Sequence, residues 1–276
     1  LVGSEMCIRD SIRISLAYVI MIILIWIPMA RRKSLAFLDV GQGDCFVADT
    51  KSGAIIFDGG SSSEDQVGRY RILPYMKYLG YQKIQIAVIS HMDIDHYSGI
   101  KELLEMGKIK YLGLPEIPKD ETMKKIIGIA KKRGTTIFYL SRGRQITTKD
   151  GSLKVLHPQK NSQMEKNAAS LVMQGKILGY RVLLTGDVEK EGEEELLSEE
   201  LERADILKAA HHGSKNSTSN EFLQKVQPKQ TVISCGKQNR YGHPHLETIH
   251  RLQTYHTKIY RTDRSGAIIF FKRRDG

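Results

Sequence analysis

Residues 90–96 read Ser90-His91-Met92-Asp93-Ile94-Asp95-His96, directly after the apolar run Ile84 to Ser90. His91, Asp93, Asp95 and His96 are all groups that hold divalent cations, and they alternate with apolar Met92 and Ile94. Carboxylates drawn toward a core need partners. Two imidazoles and two carboxylates on one tight loop suit one or two divalent ions. Two shorter elements have the same logic. Leu183-Leu184-Thr185-Gly186-Asp187 ends an apolar strand in a carboxylate, and Ala209-Ala210-His211-His212-Gly213-Ser214 ends another in paired imidazoles. Alone, each is a common turn or a chance pair; together they bring ligand groups from separate strand ends to one rim.

Tyr241-Gly242-His243-Pro244-His245 is the best candidate for a substrate loop. Pro244 limits its freedom, and His243 could protonate a leaving oxygen or bind a phosphate; the other reading is an exposed polar turn before a helix. Ser214, Lys215 and Asn216 offer a hydroxyl, an ammonium and an amide to phosphate. The three cysteines, Cys7, Cys45 and Cys235, are far apart with no C-x-x-C pair. Neither a disulfide scaffold nor a cysteine zinc site is indicated, so His and carboxylate must hold any metal.

The elements that must position these groups begin after residue 33, where short β-type runs alternate with helical stretches. Strands are expected at Leu35 to Val40, Cys45 to Asp49, Ala54 to Asp58, Ile84 to Ser90, Thr136 to Leu140, Leu153 to Leu156, Ser170 to Gln174, Tyr180 to Leu184, Ile206 to Ala210, Thr231 to Cys235 and Ala267 to Phe271. Helices are expected near Val67 to Leu79, Lys101 to Glu105, Met123 to Arg133, Glu189 to Arg203, Glu221 to Val226 and Leu246 to His256, with Thr218-x-x-Glu221 as a capping box. Two β-rich halves that each acquire helices predict an α/β fold, a four-layer αββα sandwich over residues 34–276. Ile14 to Ala30 carries no charge and is followed by Arg31, Arg32 and Lys33, which predicts one transmembrane helix within residues 12–33; a cleaved signal peptide is the alternative, against which Pro28-Met29-Ala30 lacks the small residue expected three positions before cleavage. Residues 1–11 show no periodicity that joins them to this span and read as a non-native segment or fragment edge.

The 276 residues allow one large domain plus a short extra, and 41% apolar with 26% charged residues excludes collagenous or broadly disordered classes. The net charge of +11 suits a polyanion such as nucleic acid or anionic lipid, or a basic surface that only aids solubility.

The order H-x-D-x-D-H, then T-G-D, then H-H-G-S resembles the metallo-β-lactamase fold of binuclear hydrolases, in the version where Asp93 replaces the second His. More narrowly, Leu38-Asp39-Val40-Gly41-Gln42-Gly43-Asp44, Phe57-Asp58-Gly59-Gly60, Asn167 with Ser170-Leu171, and the Tyr241 to His245 loop resemble the C-terminal domain of the ComEC family of bacterial competence channels. The resemblance runs from Leu35 to Phe271.

It implies that His91 and Asp93 bind one metal and Asp95, His96 and His212 the second, with Asp187 bridging them. His211 is implied as a lesser ligand or proton donor, and Asp95 as a group that holds the nucleophile. His157 is the preferred third ligand of the first metal, with Asn167 as the alternative; Asp44, Asp58 and Asn167 would orient ligands or loops. Two divalent cations are expected, manganese or zinc, since a carboxylate in place of an imidazole hardens the first site. Ser214, Lys215, Tyr241, His243 and His245 are the expected substrate contacts. The implied function is a metal-dependent nuclease acting on DNA, on single strands or the strand to be degraded. It would work at a bacterial cell membrane, on the extracellular face, with a competence channel domain upstream or in trans. The rivals are a membrane-anchored hydrolase of a small ester, of phosphocholine-esterase or lactonase type, and a non-catalytic DNA-receiving module.

Overall fold

A computed structural model of the protein describes residues 2–26, 32–164, 166–199 and 201–273. The chain divides into two compact units, Leu1–Arg32 and Lys33–Gly276. The first contains helix α1 (Val2–Trp26), which starts well before Ile14 and takes in residues 2–11. Residues 27–31, the end of the expected span and the start of its basic flank, lie outside the described residues. Among the described residues no helix is long and apolar enough to cross a membrane, so the span stays an expectation.

The second unit holds two seven-stranded sheets. In the first, β1 (Ser34–Phe37), β2 (Phe46–Thr50), β3 (Gly53–Phe57), β4 (Ile84–Val88), β5 (Ile109–Pro115) and β6 (Thr136–Leu140) lie in chain order, with β14 (Ile268–Phe271) beside β1. In the second, β7 (Gln145–Thr148), β8 (Gly151–His157), β9 (Val172–Ile177), β10 (Tyr180–Leu184), β11 (Ile206–Lys208), β12 (Gln230–Ile233) and β13 (Lys258–Arg261) are likewise sequential. The helices of this unit are α2 (Leu73–Tyr78), α3 (Ile94–Glu105), α4 (Glu121–Lys132), α5 (Lys190–Leu197), α6 (Asn220–Val226), α7 (Leu246–Thr254) and the short α8 (Thr262–Ser265).

Successive side chains of a strand point to opposite faces, and this sorts the apolar residues into three layers. Leu35 and Phe37 enter the core between the sheets, whereas Ala36 packs outward with Ile100 and Leu103 of α3 and Ile126 of α4. In the second sheet Val182, Leu184 and Ile206 face the first sheet, while Leu183 and Leu207 pack with Leu196 of α5, Phe222 of α6 and Leu252 of α7. The helices thus cover both outer faces, as the αββα expectation requires.

Strands β3 to β6 run parallel, and so do β10 to β13. In parallel sheets ligands gather outside the carboxyl ends of the strands. The loops after β3, β4, β10, β11 and β12 carry Asp58, the 91–96 motif, Asp187, the histidine pair and the 241–245 loop.

Three strands escaped the sequence reading. β5 contains Gly113 and Pro115, which speak against a central strand, and β7 and β13 are short, polar edge strands. Helix α6 is capped by Ser219, whose hydroxyl accepts the Phe222 N–H, rather than by Thr218. Thr218 has a left-handed backbone and its N–H donates to the buried Glu193 carboxylate instead.

Candidate metal centre

The 91–96 motif is half loop and half helix, because α3 begins at Ile94 and places Asp95 and His96 in its first turn. An acidic group there is favoured by the helix dipole. Backbone bonds tie this turn to the two glycine-rich loops: Asp44 N–H donates to the Asp95 carbonyl (3.0 Å), Gly59 N–H to the His96 carbonyl (2.8 Å) and Gly60 N–H to the Asp44 carbonyl (3.1 Å). A Cβ on Gly60 would lie 2.5 Å from His96 N, so only glycine permits this approach.

Each imidazole is held by its Nδ1. His96 donates to Asp58 Oδ2 (3.0 Å), His212 to the Ser234 carbonyl (2.9 Å) and His211 to Glu189 Oε1 (2.7 Å); His91 Nδ1 meets the hydroxyls of Ser90 (3.0 Å) and Ser170 (3.2 Å). An imidazole fixed this way turns its Nε2 lone pair inward, the arrangement of metal-binding histidines. The Nε2 atoms of His91, His96 and His212 are buried with no hydrogen-bond partner. Their rings adjoin, with centroids 4.1 Å apart for His91 and His96 and 5.4 Å for His96 and His212. Leaving a buried polar atom unsatisfied costs about 1–3 kcal/mol, and three converging beside carboxylates fit a divalent cation.

Asp187 Oδ2 lies 3.1 Å from His96 Nε2 and 3.3 Å from His212 Nε2, and Asp95 Oδ2 lies 3.3 Å from His212 Nε2. Asp93 Oδ2 is 3.7 Å from His91 Nε2. Asp44, His96, Asp187 and His212 are all buried, and each offers a ligand atom within 4.8 Å of the others, so this group could hold a metal. Asp44 approaches from the opposite side, its oxygens 3.8 Å from His96 Nδ1 and 3.7 Å from His212 Nδ1, and it pairs with buried Lys208.

The electrostatics favour positive charge. Burial opposes protonation of His212, but the Asp187 and Asp44 carboxylates raise it to about 10. Burial likewise opposes charge on His96, which Asp187 and Asp58 push well above the imidazole range. Burial would lift Asp95, yet the close His212 imidazole and the charge of His96 hold it at about 2. Asp187 stays well below the carboxylate range, because His212, His96 and Lys208 outweigh its burial. His211 and His212 both adopt left-handed backbone, with φ of 46° and 52°; such strain concentrates at functional sites.

His157 is not brought to this cluster. Its Nε2 donates to the Ala168 carbonyl (2.7 Å) and its Nδ1 lies 3.3 Å from Glu195, so its nitrogens are turned to α5 and the 166–169 turn. Asn167 sits on that turn and lines a cleft of about 930 Å³ with Glu189, Glu193, Lys215 and Arg251. Ser214 is buried.

The 241–245 loop folds over the histidine pair: His245 N–H donates to the Gly213 carbonyl (3.0 Å), and Lys215 N–H to His245 Nδ1 (3.2 Å). His243 has its ring 5.4 Å from that of His211 and 6.1 Å from that of His212, and Tyr241 stacks on it at 5.7 Å. Burial and the neighbouring His212, His211 and His245 lower His243 to about 4. It is therefore neutral at pH 7. Sequence reasoning missed Glu189, which orients His211, and Lys208; the signal for the latter was a lysine closing an otherwise apolar strand.

The family model of the metallo-β-lactamase superfamily matches residues 38–237. The chain belongs to that superfamily. It is 35% identical to ComE operon protein 3 of Bacillus subtilis (strain 168) over 94% of this chain and 35% of that protein. It is also 30% identical to competence protein ComA of Neisseria gonorrhoeae, over 86% of this chain and 32% of that one. The chain thus spans about a third of the length of these curated relatives. Among solved structures it is similar to the metallo-β-lactamase fold protein YhfI of Bacillus subtilis, with a TM-score of 0.57 and 13% identity over 86% of this chain and 99% of that one.

Proposed function

We propose that this superfamily member is a phosphodiesterase that cleaves DNA with two divalent cations, manganese or zinc. The observation that carries the reading is a set of three unpartnered, buried Nε2 atoms set against carboxylates, those of His96 and His212 facing Asp187 and Asp95 and that of His91 facing Asp93. His91 and Asp93 would hold one ion, and Asp95, His96 and His212 the other, with Asp187 as a ligand available to both. Asp44 and Asp58 stand behind, on the Nδ1 side, and orient the imidazoles. When bound, such ions supply an activated water and neutralise a phosphodiester oxygen.

The chain's own groups do the rest. Asp95, kept ionised, accepts a hydrogen bond from the attacking water. His243, neutral in the free protein, takes a proton from solvent as the phosphate enters beside it, and gives it to the leaving oxygen. Tyr241, His245, Ser214 and Lys215 border the same approach. The neighbouring cleft has a mixed lining, with Lys190, Lys215 and Arg251 beside Glu189, Glu191, Glu193 and Glu194. The competence proteins among the relatives support DNA as substrate. In this reading the protein works at the bacterial cell membrane, on the extracellular face, with a competence channel domain upstream or in trans.

The test is hydrolysis by the chain, with manganese or zinc, of single-stranded DNA, duplex DNA and a small phosphodiester. Metal-dependent cleavage of DNA, lost in Asp95→Asn, is expected. Turnover of the small ester alone, or full activity of that variant, would contradict it.

A further inference from the structure

Lys208 closes β11, and the alternation that sends Ile206 into the inter-sheet core sends Lys208 the same way. At the strand end that direction leads to the metal centre. The Lys208 side chain is 5% exposed; its Nζ donates to the Gly186 carbonyl (3.0 Å), pairs with Asp44 and lies 3.4 Å from Asp187 Oδ1. The other Asp187 oxygen, Oδ2, faces the Nε2 atoms of His96 and His212. The two oxygens of Asp187 are thus divided between a resident ammonium and the ligand imidazoles.

A buried ammonium is costly, and here it also opposes the charge of any metal bound nearby. Something must offset that cost. Asp44, Asp58, Asp93, Asp95 and Asp187 crowd the centre, and the two imidazoles of His96 and His212 offset their mutual repulsion only in part. Metal sites often assemble only as the ion binds, so that binding and folding are one event.

We infer that Lys208 is an internal counter-ion that keeps Asp44 and Asp187 in place before metal arrives, so that the centre is preformed. Lys208 is a positioning residue acting through Asp187, and the inference rests on the metal-centre reading above. It also restricts Asp187 to a single oxygen on the imidazole side.

The test compares melting of the wild-type chain, Lys208→Met, Asp44→Asn and the double variant, each with chelator and with excess Mn²⁺, alongside calorimetric titration of Mn²⁺. Breaking a buried pair is expected to lower the metal-free melting temperature of Lys208→Met by about 5–15 °C. Manganese restores more than half of that loss, and Asp44→Asn added to Lys208→Met restores part of it without metal. A loss of equal size with and without manganese, or no rescue by Asp44→Asn, overturns the inference and leaves Lys208 a packing residue. If the wild-type chain neither binds Mn²⁺ nor gains stability from it, the metal-centre reading itself fails, and the inference falls with it.

Discussion

Around Asp187 the centre has two unlike halves. Asp95, His96 and His212 form an enclosed half: both imidazoles are buried, Asp95 is 16% exposed, and Asp58, Ser234 and Lys208 brace the group from behind. His91 and Asp93 form an open half, where the imidazole is buried but the Asp93 side chain is 52% exposed. Asp93 precedes α3 and makes no side-chain capping bond. Closed sites hold metal tightly, whereas catalytic sites keep an open position for water or substrate. Under the proposed two-ion reading, retention falls to the first half and access to the second.

The harshest way to break this comparison is to remove what the halves share. Asp187→Asn should lower DNA cleavage by more than about 100-fold and empty both positions, as metal content after dialysis would show. The next largest effects should be unequal. His212→Ala should abolish the tighter of two manganese affinities, while Asp93→Asn weakens only the other, by about 10–100-fold; equal effects in calorimetry would erase the distinction.

Proton competition sharpens it further. In the metal-free protein His212 stands raised to about 10 by Asp187 and Asp44 against its burial. That charge stabilises the fold fully below the unfolded value near 6.5, and the contribution is lost as pH rises toward 10. The metal-free melting temperature should therefore fall between pH 7 and pH 10. Manganese affinity of the closed half should rise over the same range, with proton release seen in buffers of different ionisation enthalpy. The smallest effect is expected at His157: His157→Gln should leave metal content unchanged and cost about 1–3 kcal/mol in denaturant unfolding, through the Ala168 carbonyl it no longer satisfies.

Much of this was legible in the sequence. The two-sheet α/β fold follows from apolar alternation; the 91–96 motif was visible by itself, and Asp187 and His212 only through their shared strand-end placement with it. Asp58 and Asp44 are legible as supports through the family resemblance carried by their glycine-rich turns. What stayed hidden depends on tertiary approach. Whether His157 turns toward the cluster or toward Glu195 is decided by where α5 packs. That Asp95 and His96 open a helix was masked by the polar spacing of the motif, which reads as a loop. Lys208 lay unremarked within the expected strand Ile206 to Ala210, and only the facing sheet makes it a buried partner of Asp44.

The central claim, that the Nε2 side of the imidazoles holds the ions, is most directly tested by anomalous diffraction from crystals titrated with manganese. The first peak should appear among Asp95, His96, Asp187 and His212, and a second, at higher concentration, beside His91 and Asp93. A single ion on the Nδ1 side between Asp44 and Lys208, or no ordered ion within reach of these histidines, would contradict it.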